Sequence, residues 1–237
     1  MKLSVLIPIH NEEATLQTIL QRVAEIENQA AIDSLEIVAV DDCSSDNSFE
    51  ILNNFAKYHK IEIIRHPVNQ GKGAALRNAV AKASGDFTIF QDADLEYDPS
   101  DIVRMAEFAE SSSSAVVYGS RFLGKSTSPL GKAHYLVNRG LTLFSNLFTG
   151  LHLTDMETCY KMIRTDILKR IDLEENRFGI EPEITAKIAR LSKTEHFSVS
   201  EIPISYKPRK SADGKKIGLK DGFRALYVIL KYGIRFL

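Results

Sequence analysis

The sequence predicts a single α/β domain with a mostly parallel central sheet covered by helices on both faces. Three observations carry this. From residue 2 to about 118, short β-rich apolar runs alternate with longer helical patterns. The polar clusters HNEE, DDCSSD, HPVNQGKG and QDADLEYD each follow a strand candidate, where ligands bind in parallel sheets. At 237 residues the chain suits one well-buried core, whereas two domains would each be unusually small.

The strand candidates are LSVLIPI, LEIVAVDD, IEIIRH, DFTIFQDAD and SAVVYGS, β-rich apolar runs that suit a sheet covered on both faces. Helical patterns begin between them near Glu12, Asp46, Gly71 and Pro99. After Gly119 the pattern loosens into GKSTSPLGKAH, a connection longer than ordinary loops and expected to be functional. A helix is expected from about Tyr135 to Leu153. Strand CYKMIR, helices TDILKRI and EPEITAKIARL, strand FSVSEIPISY, basic loop KPRKSADGKK and a last helix from Leu219 follow.

Hydrophobic residues make up 44% and charged residues 26%, ordinary for a globular chain, and a net charge of -1 leaves no footprint for nucleic acid. Any basic site is therefore local. Cys43 and Cys159 lack metal-ligand spacing, the N-terminus does not resemble a signal peptide, and a cytoplasmic location is expected. No apolar run reaches the roughly 18–20 residues of a spanning helix, so a membrane would be met from its surface.

Three motifs carry chemistry. In VAVDDCSSDNS, Asp41 and Asp42 end a strand; they either cap and turn, or accept hydrogen bonds from a ribose or base. NQGKGAALRNA opens a helix but fits neither G-x-G-x-x-G nor the P-loop; Gly71 and Gly73 permit close backbone approach, and Lys72 could reach a base or phosphate. In QDADLEYDP, Asp92 and Asp94 would share one face of a strand as hard oxygen ligands for Mg²⁺ or Mn²⁺. Two like charges at one strand end cost free energy unless a cation joins them. Asp98 and Asp101 fit a plainer role, as acids in the first turn of the next helix.

SVLIPIHNEEATL, LEIVAVDDCSSDNS, NQGKGAALRNA, DFTIFQDADLEYDP and YGSRF, in that order, resemble the signatures of family-2 inverting glycosyltransferases of the GT-A (Rossmann-like) fold. DADLE, GSR, EIPISY and PRKSADGKK resemble the branch containing dolichyl-phosphate mannose and dolichyl-phosphate glucose synthases. The resemblance implies a nucleotide-sugar-binding half over residues 1–120 and an acceptor half over 121–237. It implies that Pro8, His10, Glu12 and Asp42 surround the nucleoside, and that Asp92, Ala93 and Asp94 form a D-x-D segment on the metal, with Glu96 also reaching it. Lys72 joins this donor-binding set. Arg121, Arg139, Arg209, Lys215 and Lys216 would cradle the acceptor and donor phosphates, with Asp94, Arg121 and Arg209 central to catalysis. Two departures stand out: His134 sits where relatives carry an arginine, and TDMETCYKM differs from the SGF type of the mannose synthases, so the sugar is not assigned to mannose.

The implied reaction moves a hexose from a nucleoside diphosphate, of GDP-mannose or UDP-glucose type, to a polyprenyl phosphate. That acceptor is already anionic and needs a basic cradle rather than a strong base. For a saccharide hydroxyl acceptor, Asp155 or Glu157 could be the base; for a lipid phosphate they are expected to pair with the basic cluster. A nucleotidyltransferase would be expected to show a glycine-rich loop after the first strand, and a non-catalytic module would not need the acidic pair.

Two helices are expected to lie on the membrane surface at the cytoplasmic face. In the first, Leu141, Phe144, Phe148 and Leu151 share one face, with Thr142, Ser145, Asn146 and Thr149 largely opposite. In the second, spanning about 219–237, Lys220, Arg224, Lys231 and Arg235 fall within about 60° of one another on an otherwise apolar helix.

Overall fold

In the computed structural model, which describes residues 1–124, 131–209 and 219–233, the expected alternation is realised. The first half runs β1 (Lys2–Ile9), α1 (Leu16–Ala24), β2 (Ser34–Asp41), α2 (Ser48–Phe55), β3 (Ile61–Arg65), α3 (Lys72–Lys82), β4 (Phe87–Phe90), α4 (Ser100–Ser112) and β5 (Val116–Ser120). The second comprises α5 (Lys132–Thr149), β6 (Lys161–Arg164), α6 (Thr165–Arg170), α7 (Ile180–Glu195), β7 (Val199–Pro203) and α8 (Leu219–Gly233).

The seven strands form one sheet in the order β3-β2-β1-β4-β6-β5-β7. Only β6 is antiparallel, inserted between β4 and β5. Its amino end therefore lies at the edge where the parallel strands have their carboxyl ends. Leu3, Val5, Leu6 and Ile7 of β1 are fully buried, as a strand covered on both faces must be.

Two elements end earlier than the sequence suggests. β4 stops at Phe90, so Asp92 and Asp94 do not share a strand face. After Gln91 bonds back to the Leu6 carbonyl, Asp94 Oδ1 accepts from the Glu96 N–H at 2.9 Å and turns the chain out of the sheet. Helix α5 stops at Thr149, because Gly150 adopts φ 70° and its N–H bonds to the Asn146 carbonyl.

The faces of α5 depart from the expectation, because its hydroxyl-bearing face is also turned inward. Thr142, Ser145 and Thr149 are buried, while Leu136, Leu143 and Leu147 are exposed, Leu147 to 81%. The Thr142 hydroxyl accepts from the Met156 N–H and the Thr149 hydroxyl donates to the Ser145 carbonyl, so small polar residues are satisfied inside. Leu141 is also buried, and Phe144, Phe148 and Leu151 pack at the core margin.

Helix α8 corrects the second amphipathic reading. Arg224 and Lys231 bind Glu175 and Glu174 of the loop between α6 and α7, so they are tied to the protein rather than free for headgroups. Ala225, Val228, Ile229 and Tyr232 are buried, and the exposed stripe is apolar: Phe223, Leu226, Tyr227 and Leu230. Arg235 lies outside the described residues.

Candidate active site

A cavity of about 830 Å³ opens at the sheet edge predicted to bind ligand, within the size range of small-molecule sites. Pro8, His10, Glu12, Asp42, Lys72, Asp92, Ala93, Asp94, Glu96, Arg121 and Arg209 all line it. The cavity runs on between α5 and α8, where Val137, Leu141, Gly222 and Ala225 face it.

At the β2 end, Asp42 serves the protein's own backbone. Its carboxylate accepts from Gln70 N–H at 2.8 Å and Gly71 N–H at 2.7 Å, with His66 Nδ1 2.7 Å away. His10 Nδ1 lies 2.9 Å from the Asp42 carbonyl. The neighbouring Asp41 caps the following turn through the Ser44 N–H and lies 3.2 Å from Arg65 Nε. The glycine pair also has an internal purpose. A Cβ on Gly71, whose φ is 95°, would sit 2.4 Å from the Asn176 carbonyl oxygen, and one on Gly73 2.1 Å from that of Glu175. The Ala74 N–H in the first turn of α3 bonds to the Asn176 carbonyl, so the close approach is to the chain itself rather than to a phosphate.

The two acids after β4 each hold a basic partner. Lys72 Nζ lies 2.7 Å from Asp92 and 3.3 Å from Glu181, and Glu181 also binds the fully buried Lys161. Burial opposes charge on Lys72, but Asp92 and its other neighbours hold it above the ordinary lysine value. Burial likewise works against ionised Asp92, and Lys72 overcomes it, leaving the carboxyl below its usual range. Asp94 differs: burial and the Asp92 charge push it up to about 6, although Arg209 binds it. Arg209 also reaches Glu12 at 3.1 Å.

Glu96 is committed to the chain beyond β7 rather than directed at Asp92 and Asp94. Its carboxylate accepts from Tyr206 Oη at 2.9 Å and the Arg209 N–H at 2.6 Å. Asp98 accepts from the Ser100 N–H, as expected of an acid opening α4. Ala93 donates no side-chain chemistry, but its carbonyl takes the Thr15 hydroxyl at 2.9 Å and so fixes the loop.

Just past β5, Arg121 is buried and bound to Asp155 through Nε at 2.7 Å and Nη2 at 2.8 Å, while its N–H reaches the same carboxylate at 2.9 Å. Its guanidinium carbon lies 5.2 Å from the Tyr206 ring centre. The expected pairing of Asp155 with the basic cluster is therefore present. Arg139 is not among the cavity-lining residues; its guanidinium donates to the Thr154 carbonyl at 2.9 Å. Lys215 and Lys216 lie outside the described residues.

Glu157 departs from the pairing expected of it. It lines the cavity, and its Oε1 is shut from solvent without a hydrogen-bond partner among the described residues. Burial and the Glu181 carboxylate push its carboxyl up to about 7, against the pull of Lys161 and Arg121. A carboxyl raised in the fold costs nothing below its ordinary 4.5, where folded and unfolded chains are both protonated. Between there and about 7 the unfolded chain ionises first and stability falls; above 7 the loss is complete, on the order of 1–3 kcal/mol. Glu157→Gln is expected to raise Tm by several degrees at pH 8 and to leave it unchanged at pH 4, as read by thermal unfolding at both pH values.

Sequence reasoning missed Glu181, Lys161, Arg177 and Tyr206. The lysine within the apolar run CYKMIR was the available signal, because a lysine is almost never fully buried without a partner.

Residues 4–172 match the model of the family Glycosyl transferase family 2, most of the chain. The chain belongs to this family. The chain is 26% identical over 237 residues to a dolichol-phosphate mannosyltransferase of Pyrococcus furiosus, covering 98% of this chain and 64% of that protein. It is 24% identical over 225 residues to an undecaprenyl-phosphate mannosyltransferase of Micrococcus luteus, covering 92% and 88%. The chain thus spans just under two thirds of the archaeal relative's length. A solved glucosyl-3-phosphoglycerate synthase of Mycobacterium tuberculosis, in complex with Mn²⁺, UDP-glucose and phosphoglyceric acid, matches with TM-score 0.72 at 16% identity, over 98% of this chain and 79% of that chain. At that identity the likeness bears on the fold, which is the one expected.

Proposed function

We propose that the transferase moves a hexose, with inversion, from a nucleoside diphosphate to a polyprenyl phosphate at the cytoplasmic surface of a membrane. One observation carries the acceptor assignment. The cavity that begins at Asp92 and Asp94 continues between α5 and α8, and both helices keep apolar stripes in solvent. A cavity with an anionic-ligand cradle at one end and lipid-compatible helices at the other suits a phosphate on a long hydrocarbon tail. The relatives named for dolichol and undecaprenyl phosphate support the same class. Among the described residues no helix is long and apolar enough to cross a membrane, and Cys43 and Cys159 are free thiols, which suits the reducing side.

Asp92 and Asp94 fit a divalent cation, Mg²⁺ or Mn²⁺: both are hard carboxylate donors, and the Asp92 charge adds to burial in raising the Asp94 carboxyl. Among the described residues no group of three or more Asp, Glu, His or Cys side chains could hold a metal, so Asp92 and Asp94 are the residues that would hold the cation. Such a cation, when bound, stabilises charge developing on the leaving diphosphate. Arg209, within reach of Asp94 and Glu12, is placed to add its charge to the same diphosphate. Arg121, held by Asp155, orients the acceptor phosphate. A phosphate oxygen then bonds to the anomeric carbon as the bond from that carbon to the diphosphate breaks, and the nucleoside diphosphate departs. No proton need be removed from the nucleophile.

Incubation with a panel of nucleotide sugars and a short polyprenyl phosphate, with mass spectrometry of the product, tests donor and acceptor together. Transfer to soluble glycans but never to lipid phosphate would sink the acceptor assignment. Leu143→Glu with Leu147→Glu is expected to weaken co-sedimentation with anionic vesicles by roughly tenfold or more, since two exposed leucines would no longer insert. An unchanged vesicle affinity would remove α5 from the membrane contact.

A saccharide hydroxyl acceptor is the second reading. It is favoured by Glu157, whose carboxyl near 7 suits a general base.

A further inference from the structure

We infer that Glu157 reads the hydroxyl groups of the donor hexose and sets which sugar is transferred. This rests on the nucleotide-sugar reading above. The order of strands arranges the donor. Pro8 and Asp42 lie at the ends of β1 and β2, Asp92 and Asp94 follow β4, and the next strand across the sheet is β6. The loop entering β6 at this edge carries Glu157, and the strand beyond it, β5, leads to Arg121. At about 4.8 Å per strand, β6 is one step from the diphosphate and one step from the acceptor cradle. A hexose joined to that diphosphate and attacked from the cradle side therefore lies over the Glu157 loop.

The loop is built to hold a side chain still. On one side Thr154 and Asp155 donate backbone N–H bonds to the Glu201 carboxylate at 2.9 Å. On the other, the Cys159 N–H donates to Tyr97 Oη at 3.1 Å. Between these anchors, Glu157 faces the cavity with one oxygen buried and, among the described residues, unpartnered. Buried polar atoms in native proteins nearly always have a partner, and a sugar hydroxyl supplies one here. With a phosphate as nucleophile, the carboxyl has no base task to perform.

A site built to hydrogen-bond a substrate hydroxyl discriminates strongly against a sugar lacking it or presenting its epimer. The test measures Kd by calorimetry, with Mn²⁺ present, for UDP, GDP, UDP-glucose, UDP-galactose and GDP-mannose, on wild type and Glu157→Ala. Expected is a change of roughly tenfold or more in the ratio of nucleotide-sugar to nucleotide affinity, with discrimination between the glucose and galactose epimers lost. Affinity for UDP and GDP alone stays within about twofold. If both ratios are unchanged, or if nucleotide and nucleotide sugar weaken together, the inference is overturned while the cavity reading survives. If wild type binds none of the five ligands, both fall. Glu157→Gln distinguishes a base: an equal loss of kcat on every donor, with the acidic limb of the pH profile gone, would overturn the sugar-reading role and favour the hydroxyl acceptor.

Discussion

Asp94→Asn is expected to lower kcat for sugar transfer by about 10³-fold or more at saturating Mg²⁺ or Mn²⁺, while the protein remains folded. The reasoning starts from the charge at the loop after β4. Two carboxylates, Asp92 and Asp94, lie close enough that burial and mutual repulsion raise Asp94 to about 6. The fold tolerates this through Lys72 on Asp92 and Arg209 on Asp94. Asn at position 94 removes the repulsion and keeps a side-chain oxygen for the Glu96 N–H, so the loop loses little. What it loses is the anionic ligand that would hold a cation against the diphosphate, and that interaction strengthens in the transition state, where leaving-group charge develops. Metal-titrated turnover, together with circular dichroism, checks it. Retention of more than about a tenth of wild-type kcat would mean that Asp94 does not hold the cation.

The largest stability effect is expected at Asp155→Ala. Asp155 is fully buried and takes three hydrogen bonds from Arg121, itself buried with its guanidinium carbon 5.4 Å from the Phe122 ring centre and 5.2 Å from that of Tyr206. Burial disfavours the guanidinium charge, and Asp155 is the chief group that restores it. Removing the carboxylate leaves an uncompensated buried cation, at a cost of about 3–5 kcal/mol, or roughly 6–20 °C in Tm. Replacing both partners, Arg121→Met with Asp155→Leu, is expected to recover much of that stability, because desolvation of both charges is then avoided. Turnover would stay low in the double variant, since the proposed acceptor cradle is gone. Urea unfolding of the two single variants and the double variant measures the coupling. A loss below about 1 kcal/mol in Asp155→Ala would show that Arg121 finds water or another acid instead.

The stretch from Phe87 to Pro99 shows how far motif reading reaches. Its acids were separable by residue type and spacing, and Asp98 does open α4 as expected. That Glu96 turns to Tyr206 and the Arg209 backbone was not legible, because the partners lie 110 and 113 residues away. The glycines of NQGKG were legible as a site of close approach. What approaches, the 175–176 backbone, was not.

The sequence by itself determined the α/β class, the edge of the sheet where polar clusters gather, and which residue types stand there. These follow from local periodicity and from the rule that parallel strands present their carboxyl ends together. The tertiary structure alone decided the pairings, such as Arg209 with Asp94 across 115 residues and Arg121 with Asp155 across 34. It also decided which face of α5 meets the core. Helical periodicity fixes the angles between side chains, but the buried side depends on what the neighbouring chain offers. Here the Met156 N–H meets Thr142, so small hydroxyl residues pack inward and Leu143 and Leu147 are left outside.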